Sequence, residues 1–234
     1  MTIKDVKGLK YPDEYVIKYF FKEGLQNKTG KVIEFGCANG NNLSLYYQYD
    51  YDIIGIDFLE TSIENANYNF KNIYTSNAKY NFISTDMLSY AQNHKNINAD
   101  VFTIPNVISY ISKNDFIEFL KESKKNNLFK KDAGFFLRTR TKKDYRYGLG
   151  EEIEQDSFLI SDNSTGEKGA LCTCYSEYEL IELLKKYLNL KDFTISYLDN
   201  QNLQHNRLVL NSDITIWGTI SWNLLLCNQL LILG

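Results

Sequence analysis

Short apolar stretches recur along the chain at intervals that leave room for one helix each. VIEF (32–35), YDIIGID (51–57), FISTDM (82–87), DVFTIP (100–105) and AGFFLRT (133–139) are β-branched or aromatic runs of strand length. Two later runs, FTISYL (193–198) and DITIWGTI (213–220), have the same character. Between them the apolar residues switch to helical spacing: Phe116, Phe119 and Leu120 after Ser112, and Leu180, Leu183, Leu184 and Tyr187 after Ser176. Thr61 with Glu64, Ser112 with Asp115 and Ser176 with Glu179 each set a hydroxyl three residues before an acid, the pattern of a capping box. In YPDEYVIKYFF, Pro12 is expected to open an N-terminal helix, since the first turn does not need its missing N–H. The pattern predicts alternating strands and helices in one α/β unit.

The first strand runs into VIEFGCANG (32–40), a strand, tight turn and helix start. A dinucleotide turn, G-x-G-x-x-G, needs a glycine five residues after its first, where pyrophosphate meets bare backbone. Position 41 is Asn, so that spacing fails and a nicotinamide oxidoreductase is disfavoured. The chain has E-x-G-x-A-x-G instead, from Glu34 through Gly36, Ala38 and Gly40. A carboxylate before the first glycine repels phosphates but suits a cofactor with a cationic ammonium and no phosphate. Asp57 ends the second strand 17 residues beyond Gly40, in position to accept ribose hydroxyls. Asp86 and Met87 end the third strand, with Thr85 and Asp86 also suited to cap the next helix, and Asn106 follows Pro105 at the end of the fourth. Cys37 reads as a small apolar filler of the turn, with no neighbour in sequence to activate a thiolate.

These residues resemble motif I and the following strand ends of the class I S-adenosylmethionine-dependent methyltransferases, with Ala38 where the second glycine is usual. The resemblance implies an α/β, Rossmann-like doubly wound sheet of seven strands with helices on both faces, the last strand antiparallel. It implies S-adenosylmethionine as cofactor and S-adenosylhomocysteine as product. Its cofactor set, carried onto this chain, is Glu34, Gly36, Cys37, Ala38, Gly40, Asn41, Asp57, Phe58, Thr85, Asp86, Met87, Pro105 and Asn106. Asp86 then accepts from the adenine amino group and Met87 packs on the ring. In many small-molecule members an N-terminal helix lies over the cofactor, which makes Tyr11 and Tyr15 lid candidates, with ordinary surface tyrosines as the alternative.

At 234 residues and 44% hydrophobic the chain suits a single domain. Its expected parts are an N-terminal cap helix (1–30), a cofactor half (31–139), a substrate loop (140–175), a C-terminal half (176–221) and an apolar tail (222–234). A net charge of −3 argues against a large nucleic-acid footprint. Four cysteines without a recognisable leader point to a reducing, cytoplasmic setting. Cys172 and Cys174 form a C-x-C pair, but with two histidines and no second pair at ligand spacing no metal site is read. The tail WNLLLCNQLLILG is too short and too interrupted to span a bilayer, which takes about 20 apolar residues. Packing on the domain or a homodimer contact is its expected role.

The connection after the fifth strand is far longer than usual, and open α/β sheets bind ligands beyond their strand ends. RTRTKKDYRYG sets Arg138, Arg140, Lys142, Lys143 and Arg146 against Asp144 alone, a local net charge of +4, with Tyr145 and Tyr147 interleaved. Arg138, Arg140, Lys143, Tyr145 and Arg146 are therefore substrate candidates for an anionic small molecule. The resemblance to small-molecule methyltransferases, some of which modify sugars or polysaccharide precursors, implies by analogy an acceptor of sugar, phosphorylated or polysaccharide-precursor type. A solvated loop balanced by Glu151, Glu152, Glu154 and Asp156 is the alternative. A sulfonium methyl is already electrophilic, so in-line positioning is the main demand. Tyr110, Asp144 and His205 are the candidate general bases, with His94 behind them. Base-methylating enzymes commonly carry an N-P-P-Y-like turn after the fourth strand; IPNVISY keeps only Asn106 and Tyr110 of it, in another order. An RNA methyltransferase and a non-catalytic adenosylmethionine-binding protein stand as the alternatives.

Overall fold

The computed structural model describes residues 2–163, 166–204 and 206–221. Seven strands make one sheet: β1 (Lys31–Phe35), β2 (Asp52–Asp57), β3 (Tyr80–Ser84), β4 (Ala99–Pro105), β5 (Phe129–Arg140), β9 (Lys191–Gln204) and β10 (Arg207–Ile220). Their order is β3-β2-β1-β4-β5-β10-β9, with β10 antiparallel to both neighbours and the other pairings parallel. This is the doubly wound sheet with an antiparallel last strand that the resemblance implied.

Alternation along each strand sorts side chains to the two faces. In β5, Phe135 and Leu137 enter one core cluster and Phe136 enters the other. In β10, Ile214 and Ile216 go to the first and Trp217 to the second. The first cluster takes buried residues of α4 (Met87–Asn93), α5 (Lys113–Lys125) and α6 (Glu177–Leu188); the second takes those of α1 (Glu14–Lys22), α2 (Leu43–Gln48) and α3 (Glu60–Asn72). Both faces are thus covered, which is why the strands read as nearly continuous apolar runs. Tyr19 of α1 packs on Phe136 and Trp217 at ring distances of 5.4 and 6.4 Å, holding the N-terminal helix to the sheet.

The predicted caps at Ser112 and Ser176 form, each hydroxyl accepting the N–H three residues on. Thr61 does not cap α3: the helix already begins at Glu60, behind Leu59, and carries no side-chain cap. Pro12 likewise stands one residue before the cap of α1, which is Asp13, accepting from Tyr15 N at 2.8 Å.

The segment 140–175, expected as a loop, holds a second, antiparallel sheet of β6 (Gly150–Glu154), β7 (Ser157–Ile160) and β8 (Leu171–Thr173). Its first strand is mostly exposed and acidic, so its sequence reads as solvated coil. A bridge between Thr141 and Tyr175 closes its base, and Thr173 donates to the Ile111 carbonyl at 2.7 Å, seating it beside the turn after β4.

Candidate active site

Four strand ends meet at the carboxyl edge of the sheet, and the turn after β1 sets the floor. Gly36 takes φ +72°, and a Cβ there would lie 2.6 Å from Cβ of Val107, so glycine is required on both counts. Ala38 takes φ +46°, a left-handed conformation costly for a residue with a Cβ. Asp57 restrains this turn, accepting from Ala38 N through Oδ2 (2.9 Å) and from Leu59 N through Oδ1 (3.0 Å).

Over this turn opens a cleft of about 610 Å³. Gly36, Ala38, Asp57, Phe58, Thr85, Asp86, Met87 and Asn106 of the predicted cofactor set line it, and Tyr110 of the catalytic set joins them. Ile56, Leu59, Leu88, Val107 and Ile111 make it largely apolar, as a nucleoside face requires. Asp86 caps α4 through Ser89 N (2.8 Å). Its carboxyl lies below the usual carboxylate range: burial pushes it up, and hydrogen bonds from Ser89 outweigh that.

Other predicted residues stand back from the wall. Glu34 is fully buried, accepting from Asn42 Nδ2 (3.3 Å) and Thr103 Oγ1 (3.2 Å). Burial, against those two hydrogen bonds, pushes its carboxyl up to about 8. Cys37 is a buried filler of the second core cluster. Asn41 donates to the Tyr11 carbonyl at 3.1 Å, while Asn39 and Asn69 each exchange two hydrogen bonds with the backbone of Leu9 and Lys7 respectively. These side chains pin residues 7–11 across the motif turn. Tyr11 itself is exposed, and the ring of Tyr15 lies 5.7 Å from the Arg138 guanidinium carbon. Gly40 and Pro105 complete the turn and strand without joining the cleft lining.

A second pocket of about 400 Å³ adjoins the first, and Asn106 and Tyr110 line both. It gathers Arg138, Arg140, Arg146 and Asp144 of the predicted acceptor and catalytic residues. Lys143 and Tyr145 are not on its wall: Lys143 lies 3.6 Å from Asp199, and Tyr145 stacks beneath Arg146. His205 lies outside the described residues, as does the tail 222–234. His94 stacks on Tyr90 at 3.9 Å, away from both pockets.

Every arginine of the pocket is met by acids. Arg138 bonds Asp13 and Asp213 at 2.6 Å each; Arg140 bonds Glu167 at 2.6 Å; Arg146 bonds Glu167 at 2.6 Å and Asp144 at 3.0 Å. Asp144 is spent largely on structure, accepting from Ser212 N and Arg146 N at 3.0 Å. Burial pushes the Tyr110 hydroxyl above its usual range, against the pull of Arg140. Sequence reading missed Asp13, Asp213 and Glu167, since each acid reaches its arginine only through tertiary pairing. Beneath Arg140, Cys172 and Cys174 put their sulfurs 3.8 Å apart, and the Cys174 thiol with the Arg140 charge holds Cys172 down at about 7.

The model of the methyltransferase domain family matches residues 11–187. The chain belongs to that family. It is an S-adenosylmethionine-dependent methyltransferase by this membership, and its fold is shared with solved methyltransferases. A Methanosarcina mazei S-adenosylmethionine-dependent methyltransferase superposes with a TM-score of 0.63 at 19% identity, over 80% of this chain and 92% of that one. YcgJ from Bacillus subtilis gives 0.64 at 13%, over 90% and 100%. Magnesium protoporphyrin IX methyltransferase from Synechocystis, solved with bound S-adenosylmethionine, gives 0.56 at 13%, over 90% and 77%. A search of the curated proteins by sequence finds no match. Among the described residues, no helix is long and apolar enough to cross a membrane, and no group of three or more His, Cys, Asp or Glu could hold a metal ion.

Proposed function

We propose that this methyltransferase binds its cofactor in the larger cleft and methylates a small acceptor bearing an anionic group, of sugar or phosphorylated-precursor kind, held in the arginine pocket. The observation carrying this reading is that the two cavities share Asn106 and Tyr110 as a common wall. A donor in one and an acceptor in the other would then meet across these two residues, the proximity that in-line transfer needs.

The cleft fits the cofactor in size and chemistry. Asp57 keeps lone pairs for ribose hydroxyls after serving Ala38 and Leu59; Asp86 and Met87 suit the adenine edge and face; the blocked Cβ at Gly36 leaves bare backbone for the methionine end. When bound, the cofactor supplies an electrophilic methyl group, so this chain's residues have only to orient the acceptor and exclude water. Glu34 acts at one remove, holding Asn42, which in turn accepts from Asp13 N at 2.8 Å. Tyr110, held protonated, serves as a donor to the acceptor. Of the candidate bases Asp144 is the carboxylate on the pocket wall, beside Asp13 and Asp213 and tied to Ser212 and Arg146, while an anionic oxygen would need no base.

Isothermal titration with S-adenosylmethionine and S-adenosylhomocysteine tests the cofactor assignment, with Asp57→Ala expected to weaken both at least tenfold. Heat from neither would sink it. Labelled cofactor with a panel of activated sugars, phosphoesters and tRNA tests the acceptor, and transfer to tRNA alone would overturn the small-molecule reading.

A further inference from the structure

Three donors in the acceptor pocket converge on one carboxylate. Tyr110 Oη lies 2.7 Å and Arg140 Nη2 2.6 Å from Glu167 Oε1, while Arg146 Nε lies 2.6 Å from Oε2. Two oxygens shared among a phenol and two guanidinium groups is the arrangement by which proteins hold carboxylate and phosphate ligands. The three donors come from the main body and the start of the insert: Tyr110 from the turn after β4, Arg140 from the end of β5, Arg146 from the turn beyond it.

The carboxylate comes from elsewhere, the connection between β7 and β8. Gly166 and Gly169 flank Glu167 with φ of +71° and +83°, and a Cβ on either would meet nothing within 4 Å. Space is open at both glycines, while backbone hydrogen bonds from Ala170 N to the Glu167 carbonyl (2.9 Å) and from Gly169 N to the Ile160 carbonyl (2.8 Å) hold the turn, so displacement asks only the Glu167 side chain to swing out. The donors would stay. Arg146 remains tied to Asp144, which is anchored by Ser212 N, and Arg140 remains against Cys172 Sγ at 3.6 Å and Tyr110 at 2.8 Å.

We propose that Glu167 is an internal stand-in for the acceptor's anionic group, and that a carboxylate or phosphate binds Tyr110, Arg140 and Arg146 by displacing it. This rests on the acceptor assignment above and names the subsite within it. With Glu167 in place, Arg138, Arg140 and Arg146 face Asp13, Asp144, Asp213 and Glu167, so the closed pocket offers a ligand no excess of positive charge. Withdrawing Glu167 opens a cationic site that an anion fills and a neutral or cationic acceptor does not. Burial pushes the Glu167 carboxyl up, but Tyr110 and Arg140 outweigh it and hold it below the usual range, so it competes as an anion at neutral pH.

The test is calorimetric titration of inorganic phosphate, at ionic strength held constant with sodium chloride, into the full chain, Glu167→Ala, Glu167→Gln and Glu167→Ala/Arg140→Met. Removing the competitor is expected to lower the phosphate Kd at least tenfold in Glu167→Ala, with Glu167→Gln between it and the parent. The double variant should lose the gain. Glu167→Gln preserves shape and carries the test if the alanine variant fails to fold. Equal Kd values in the parent and both single variants, or a gain that survives loss of Arg140, would overturn the proposal. S-adenosylmethionine titrated into the parent protein is a separate arm: its failure would count against the cofactor reading and leave the anion subsite standing.

Discussion

Asp13 Oδ2 stands 2.6 Å from Arg138 Nη1, joining residues 125 positions apart, and Arg138 Nη2 reaches Asp213 at the same distance. The first turn of α1 is thereby locked to β5 and β10 at the rim of the acceptor pocket. Asp13 has two tasks, since its other oxygen caps α1 at Tyr15 N. Asp13→Ala removes both cap and ion pair, while Asp13→Asn keeps a capping oxygen. We expect losses of about 2 kcal/mol and about 1 kcal/mol respectively in urea unfolding. Equal losses would show that the cap contributes nothing.

Gly36 and Ala38 sit two residues apart in the same turn and call for opposite changes. Gly36→Ala forces a Cβ into a left-handed backbone and onto Val107, so stability should fall by about 1–3 kcal/mol and cofactor affinity with it. Ala38→Gly relieves a side chain already held at φ +46° and should raise stability by about 0.5–1 kcal/mol. Thermal unfolding of the two variants reads both signs. A destabilising Ala38→Gly would mean that the methyl group packs well enough to offset its strain.

What the sequence made legible follows from range. Gly36, Asp57, Asp86 and Asn106 lie at ends of apolar runs, and strand ends of a doubly wound sheet share one edge, so local pattern sufficed to place them in one cleft. Glu34 belongs to the same run yet faces inward, because alternation along β1 turns it away from the cleft and toward Asn42 and Thr103. The arginines read as a free cationic loop because their partners are remote: Asp213 lies 75 residues from Arg138, and Glu167 reaches Arg140 only after β6, β7 and β8 fold back. Thr61 misled because a hydroxyl three residues before Glu64 fits the capping pattern, whereas α3 begins earlier, at Glu60, behind Leu59 and without a side-chain cap.

Glu34 makes stability depend on pH in a definite direction. Its carboxyl is raised by burial from 4.5 to about 8, so the folded state binds the proton more tightly than the unfolded one. That contribution is complete below about pH 4.5 and is lost as pH rises through about 8. Stability without cofactor should therefore fall by about 2–4 kcal/mol between about pH 5 and about pH 8.5, relative to Glu34→Gln. Urea melts of both proteins across that range provide the measurement. Parallel curves would mean that Glu34 is already ionised at pH 5.

Asp156 carries the opposite dependence and governs the insert. Lys113 and Lys142 reach its Oδ2 at 3.0 and 2.6 Å, and Tyr147 donates to its Oδ1 at 2.8 Å. Burial pushes this carboxyl up, but Lys142, Lys113 and Tyr147 outweigh it and hold it at about 2. A depressed carboxyl contributes stability that is present above its unfolded value near 3.8 and is lost as pH falls through about 2. Lys113 begins α5, so the cluster fastens the small sheet to the main body. Asp156→Asn leaves Lys113 and Lys142 facing an uncharged amide and should cost about 2–4 kcal/mol. The loss should appear as faster amide exchange across β6, β7 and β8 than across β1 and β4, with the difference shrinking towards about pH 2. Uniform acceleration over both sheets would show instead that the insert opens only with the whole protein.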